Sequence, residues 1–209
     1  MWTLEEARNR LSDRLSESSP VFWSPEQRRD YINDAQRLIA VITRGVEHTI
    51  THTVSRNDPI IPLPNEVVNS TPAAAWTDDR ALAVVTLTVA NMHNPNWRSV
   101  VAASPLWVVP HFAEKEAYVT PRPKRDVEVT MVASVYPDPV EDDADLLFNG
   151  QDSMQRYLSA FLNIAAAYAL MKERYDGDAE RYYQMGAQEL AQMGISPEAI
   201  PPFEAVANE

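Results

Sequence analysis

The chain of 209 residues contains no cysteine. That excludes disulfides, thiolate nucleophiles and Cys-based zinc or iron–sulfur sites, and leaves the redox compartment unconstrained by thiols. Only five glycines are present, at Gly45, Gly150, Gly177, Gly186 and Gly194, and none falls in a GxGxxG or P-loop pattern that would let backbone amides cradle a phosphate. No apolar run approaches the roughly 18–20 residues of a membrane-spanning helix. Basic residues are the scarcer sign, 18 Lys and Arg against 30 Asp and Glu. The resulting net charge of -12 opposes tight DNA binding, which draws its affinity from cations that displace counterions. Met1–Arg14 lacks the charged-then-apolar order and small-residue cleavage site of a signal peptide, so export is not expected.

What is present is a folded chain with a self-supporting core. Hydrophobic residues make up 45%, far above the content of disordered chains, and the length suits one domain or two small ones. Charge is distributed unevenly. Residues 1–46 carry seven basic and seven acidic groups, residues 47–137 carry seven and nine, and residues 138–209 carry four and fourteen.

Thr3 with Glu6 forms a capping-box pattern ahead of an apolar stripe at Leu4, Ala7, Leu11 and Leu15, which predicts a helix from about Thr3 to Ser16. Glu17-Ser-Ser-Pro20 breaks it. Ser24, Pro25 and Gln27 restart a second helix, with Tyr31, Ile32, Ala35, Leu38, Ile39 and Ile42 on one face and Gly45 as the stop. From Glu47 to Val140 proline is frequent and the period shortens to two, which predicts strands at His48–Ser55, Leu82–Ala90, Leu106–Val109, Glu116–Thr120 and Val127–Tyr136. Long loops are expected over 64–80 and 92–105. A third helix is expected over Asp152–Tyr175, with Gly177 ending it, and a fourth from an Asp178 cap to Gly194. The tail from Ile195 onward, with two adjacent prolines and isolated Ile200, Phe203 and Val206, reads as an extended arm.

Few residue patterns in the chain carry chemistry. His48 and His52 are four apart, a zinc-compatible spacing on a helix, but the Thr-rich alternation around them indicates a strand, where the rings stand roughly 13 Å apart. His93 and His111 are isolated. Glu141, Asp142, Asp143 and Asp145 lack the alternating ligands, mid-loop glycine and closing glutamate of a calcium loop, and read as a solvated acidic linker. No GxSxG or comparable nucleophile signature occurs. Arg122, Lys124 and Arg125 form a proline-restrained basic loop that is either a solubilising hairpin tip or a contact to an acidic surface or passing phosphates. Trp23 before the Ser24 cap can act as a hydrophobic staple. Trp76 and Trp97, in proline-rich loops, are candidate protein–protein interface residues, since Trp is enriched at interface hot spots.

Three stretches, Leu4-Glu-Glu-Ala-Arg-Asn-Arg-Leu-Ser-Asp-Arg-Leu15, Phe22-Trp-Ser-Pro-Glu26 and Tyr31-Ile-Asn-Asp-Ala-Gln36, together resemble the head-to-tail adaptor, or neck, proteins of tailed bacteriophages. Pro62-Leu-Pro64, Tyr118-Val-Thr-Pro-Arg-Pro123 and Val135-Tyr-Pro-Asp-Pro139 are similar in order to the same family. The resemblance implies a non-enzymatic structural virion protein of the neck, made in the host cytoplasm. It further implies a ring, commonly of twelve copies, between the portal protein and a tail or nozzle protein, around a channel through which genomic DNA passes without specific binding. No cofactor, metal or membrane partner is implied.

The expected fold is α+β. Helix pairs at 1–46 and 141–194 form a bundle, 47–140 is a β-rich sandwich or barrel-like insert, and 195–209 is an arm. Ile200, Phe203 and Val206 are then the portal-binding residues, Trp76, Trp97, Arg122, Lys124 and Arg125 the subunit or tail contacts, and Glu141, Asp142, Asp143 and Asp145 candidate lumen acids that repel DNA phosphates. Two rivals stay open: a small metal-dependent hydrolase built on His48, His52 and the acidic cluster, and a monomeric regulatory module that uses the tryptophan loops.

Overall fold

The structure is a computed structural model that describes residues 1–15, 23–68, 71–110, 115–173 and 176–203. The expected Ser16 helix end, the Glu17–Pro20 break, Phe22, His111 and Val206 lie outside the described residues. In chain order the elements are α1 (Leu4–Arg14), α2 (Pro25–Thr43), β1 (Glu47–Val54), β2 (Ile60–Pro62), β3 (Ala74–Thr77), β4 (Arg80–Val84), α3 (Leu87–His93), β5 (Val101–Ala102), β6 (Trp107–Pro110), β7 (Glu116–Thr120), β8 (Arg122–Pro123), β9 (Val127–Ser134), α4 (Leu158–Lys172) and α5 (Asp176–Gln192). The fold is mixed α+β. Residues 1–46 with 137–209 form one compact unit and residues 47–136 another.

In the terminal unit both predicted capping boxes are made: Thr3 with Glu6 opens α1, and Ser24 with Gln27 opens α2. The core is α4, which packs against α1, α2 and α5. Ten of its residues are buried, on every side of the helix, the pattern of a helix with no solvent face. Its alanines allow close approach, and so does Gly186 on α5: a Cβ there would lie 2.9 Å from Ile164 Cγ1 and 3.0 Å from the Ala160 carbonyl oxygen. Trp23 packs with Tyr31 and Ala169, so the residue that leads into α2 is tied to α4.

The other unit is a seven-stranded, nearly closed barrel-like sheet in the order β1-β9-β3-β4-β6-β7-β2, with a separate β5–β8 pair. All pairings in the large sheet are antiparallel except β4–β6. The end strands β1 and β2 touch. Val54, Ile61, Val108, Val119, Val129 and Met131 are fully buried. Across β6–β7 the opposite face is buried too, because α3 and Trp97 cover Val109 and Tyr118. That double burial accounts for the unbroken apolar runs of these strands.

Several expectations need correction. The Leu82–Ala90 strand stops at Val84, and Thr86 then caps α3 by accepting from the Val89 amide at 3.3 Å. The left-handed stop of α2 is Arg44, with φ of 51°, rather than Gly45. Gly177 lies inside α5 instead of ending a helix, and Asp178 is not its cap. Residues Asp152–Tyr157 are a 3-10 turn leading into α4. The two long loops are structured: 64–80 contributes β3 and a Val67–Val135 bridge, and 92–105 contributes β5 and a 3-10 turn.

Candidate interaction surfaces

The acidic segment is not a free linker. Asn33 of α2 holds Val140 by both backbone groups: Oδ1 accepts from the Val140 amide at 2.9 Å, and Nδ2 donates to its carbonyl at 3.2 Å. Gln36, fully buried, donates from Nε2 to Asn33 Oδ1 at 2.8 Å and to the Asp138 carbonyl at 3.3 Å, and its Oε1 accepts from the Phe148 amide at 3.1 Å. Phe148 needs this anchor because it and Asn149 adopt left-handed backbone, φ of 52° and 54°, an unfavourable region for a bulky side chain. Its ring is buried against Phe161.

Between those anchors the acids form a fixed turn. The Asp145 carboxylate accepts from the Glu141 and Asp142 amides at 2.8 and 2.9 Å, and these bonds hold its pKa below the usual carboxylate range. Asp143 pairs with Arg8. The carbonyls of Asp143 and Asp145 accept from the Glu5 and Leu4 amides at 3.2 and 2.9 Å, so the turn also satisfies the N-terminal amides of α1 that the helix itself leaves open. Glu141, Asp142 and Asp143 are exposed and Asp145 is half-buried.

In the other unit, Arg122, Lys124 and Arg125 lie together, but not at a hairpin tip. The strands before and after them, β7 and β9, do not pair with each other; the segment instead runs as β8 beside β5. Arg122 Nε donates to the Tyr118 hydroxyl at 2.7 Å, which donates to the Arg98 carbonyl at 2.8 Å. The Tyr118 ring meets Trp97 edge-on at 5.0 Å, and Trp97 Nε1 donates to Asn91 Oδ1 at 2.8 Å. Trp97 is thus 1% exposed; the tryptophan expected on an open loop is the buried base on which Arg122 is set. Tyr118 is the positioning residue that local sequence reading missed, because its partners are contributed by a segment about 20 residues earlier.

Trp76 is the exposed tryptophan, at 37%. It sits across from Thr130 on β9, which pairs in turn with Thr51 on β1. His48 and His52 both lie on β1, opposite Ala133 and Val129. Among the described residues, no group of three His, Asp or Glu side chains could hold a metal ion.

The tail folds back on α5. Tyr183 donates its hydroxyl to the Pro201 carbonyl at 2.6 Å, and its ring lies 5.7 Å from that of Phe203. Burial pushes the Tyr183 phenol up to about 12. Ile200 and Phe203, both half-buried, line a groove of about 430 Å³ with Tyr183, Gln184, Ala187 and Gln188. No described helix is long and apolar enough to cross a membrane.

Residues 2–203 match the family described as SU10 adaptor protein. Among curated proteins, none matches the chain.

Proposed function

The chain belongs to the SU10 adaptor protein family, and we propose that it works as a head-to-tail adaptor that forms a ring between the portal and the tail of a phage particle and surrounds the DNA passage. The observation that carries this reading is the family match over 202 of the 209 residues. The family supports a structural, non-catalytic role in the virion neck, with portal and tail proteins as partners. In this reading the helices of the terminal unit form a bundle that packs subunits around the ring, and the barrel-like unit reaches neighbouring copies or the tail. The excess of carboxylates in 138–209 supplies a field that lets DNA slide, since like charge repels its phosphates. Trp76 is an outward-facing contact for a neighbouring subunit or the tail.

The C-terminal arm docks on the portal through Ile200, Phe203 and Val206. Phe203 leaves Tyr183 for an apolar site of similar size, so docking exchanges one buried contact for another. Portal rings imaged by negative stain with and without this protein test the reading: a collar added to each ring supports it, and bare rings at saturating protein refute it. Truncation after Gly194 separates the arm, since the collar is then lost while the far-UV helical signal of the truncated chain is kept.

A further inference from the structure

We infer that the Arg122–Arg125 corner is the docking site for the acidic turn Glu141–Asp145 of a second copy of this chain. The inference rests on the ring reading and names its seam.

Arg122 is a preset fork. The Tyr118 hydroxyl takes its Nε hydrogen and the Trp97–Asn91 pair fixes Tyr118, so the two terminal nitrogens are presented in one orientation. A guanidinium so held loses little freedom when it grips a carboxylate with two parallel bonds. Lys124 and Arg125 are exposed, and among the described residues neither side chain makes a hydrogen bond or ion pair. Three cations within four residues are thus left to an outside anion.

The chain itself supplies a matching one. The acidic turn is held by Asn33, Gln36, Asp145 and α1, while the Glu141 and Asp142 side chains have no partner among the described residues. The Arg122 guanidinium and the backbone of the acidic turn are therefore set before they meet, which lowers the entropic cost of association. DNA phosphate is the weaker fit to the same cations, because duplex affinity is built from many cation–phosphate contacts and this corner offers three cations within four residues. Joining one surface of a subunit to a different surface of the next is a heterologous contact, the type that closes into a ring. Glu141 and Asp142 then lie at the seam between subunits, and other acids of 138–209 face the channel.

Isotope-labelled and unlabelled chains are mixed, with and without portal rings, and treated with a carbodiimide that joins touching amines and carboxylates directly. The expected product links Lys124 of one isotopic form to Glu141 or Asp142 of the other, and falls at least tenfold in 0.5 M salt, as a screened contact should. Chains carrying K124E/R125E, or E141K/D142K, each lose self-association, and a one-to-one mixture of the two regains it. Rings that form on the portal without the Lys124 link leave the adaptor reading standing and overturn this one. Absence of both rings and link overturns both. Binding of duplex DNA that depends on Lys124 and Arg125, with no link between copies, overturns it in favour of a phosphate site.

Discussion

Gln36 is the most revealing residue to replace, because it is fully buried and joins α2 to both ends of the acidic segment. Gln36→Ala removes the acceptor of the Phe148 amide and the donor to the Asp138 carbonyl. A buried donor left without a partner costs about 1–3 kcal/mol. Losing two buried side-chain carbons' worth of packing adds about 1–1.5 kcal/mol. The left-handed Phe148, whose conformation stores about 1–2 kcal/mol, then keeps only its ring contact, so part of the deficit is recovered by relaxation. The expected net loss is about 3 kcal/mol. Urea unfolding followed at 222 nm should show the helical transition shifting to lower denaturant with an unchanged slope, the signature of lost stability rather than altered compactness. Gln36→Met, which keeps the volume and deletes the hydrogen bonds, should fall between the two. Asn33→Ala should lose about 2 kcal/mol through Val140, and the double variant should lose less than the sum because Asn33 and Gln36 bond to each other. A Gln36→Ala loss below about 1 kcal/mol, or full additivity with Asn33→Ala, would refute the clamp.

Three further perturbations have defined outcomes. Gly186→Ala should destabilise the chain by about 1–2 kcal/mol in the same urea assay, since overpacking against Ile164 and the Ala160 carbonyl outweighs the gain of about 1 kcal/mol in helix propensity; a rise in stability would show that α4 and α5 can separate freely. The depressed Asp145 pKa means its contribution is present above the ordinary carboxylate range and is lost as pH falls through the folded value; protection of the Glu141 and Asp142 amides, taken relative to their intrinsic exchange rates, should fall in acid, while in Asp145→Asn it should change much less with acid. The raised Tyr183 pKa, about 12, means the unfolded phenol ionises first, so stability should fall as pH rises from about 10 towards 12, and Tyr183→Phe should flatten that slope and speed amide exchange in residues 198–203. Unchanged tail exchange in Tyr183→Phe would mean the hydroxyl does not hold the tail.

What the sequence made legible was what neighbours along the chain decide. Capping boxes at Thr3 and Ser24 are met within three residues, and the Glu116–Thr120 strand appears with its expected limits. The Leu82–Ala90 reading failed because β-branched Val84, Val85 and Val89 suit a strand, whereas Thr86 can cap a helix, and the tie is broken by Trp97 and Tyr118 packing on Ala90. Gly177 misled for the complementary reason: a glycine punctuates a helix where the backbone must turn left-handed, as Gly194 does after α5 with φ of 90°, whereas α4 is capped by Glu173 with φ of -92°.

The same division runs through the candidate surfaces. Tyr31-Ile-Asn-Asp-Ala-Gln36 was recognisable as a pattern, but its purpose was not, because Asn33 and Gln36 spend their hydrogen bonds on residues more than 100 positions away. Polar side chains in a helix interior are costly unless such partners exist, and here, besides the bond between Asn33 and Gln36 themselves, the partners are backbone groups of 138–148. The consequence is that the identities of the exposed acids Glu141 and Asp142 are free of the fold, while the course of their backbone is fixed by it and Asp143 is tied to Arg8. Substituting Glu141 and Asp142 should therefore leave stability within about 0.5 kcal/mol, the range of surface changes, and alter only what the turn attracts. A large stability loss from these two positions would place them in the fold, and their charge would no longer be available to select a partner.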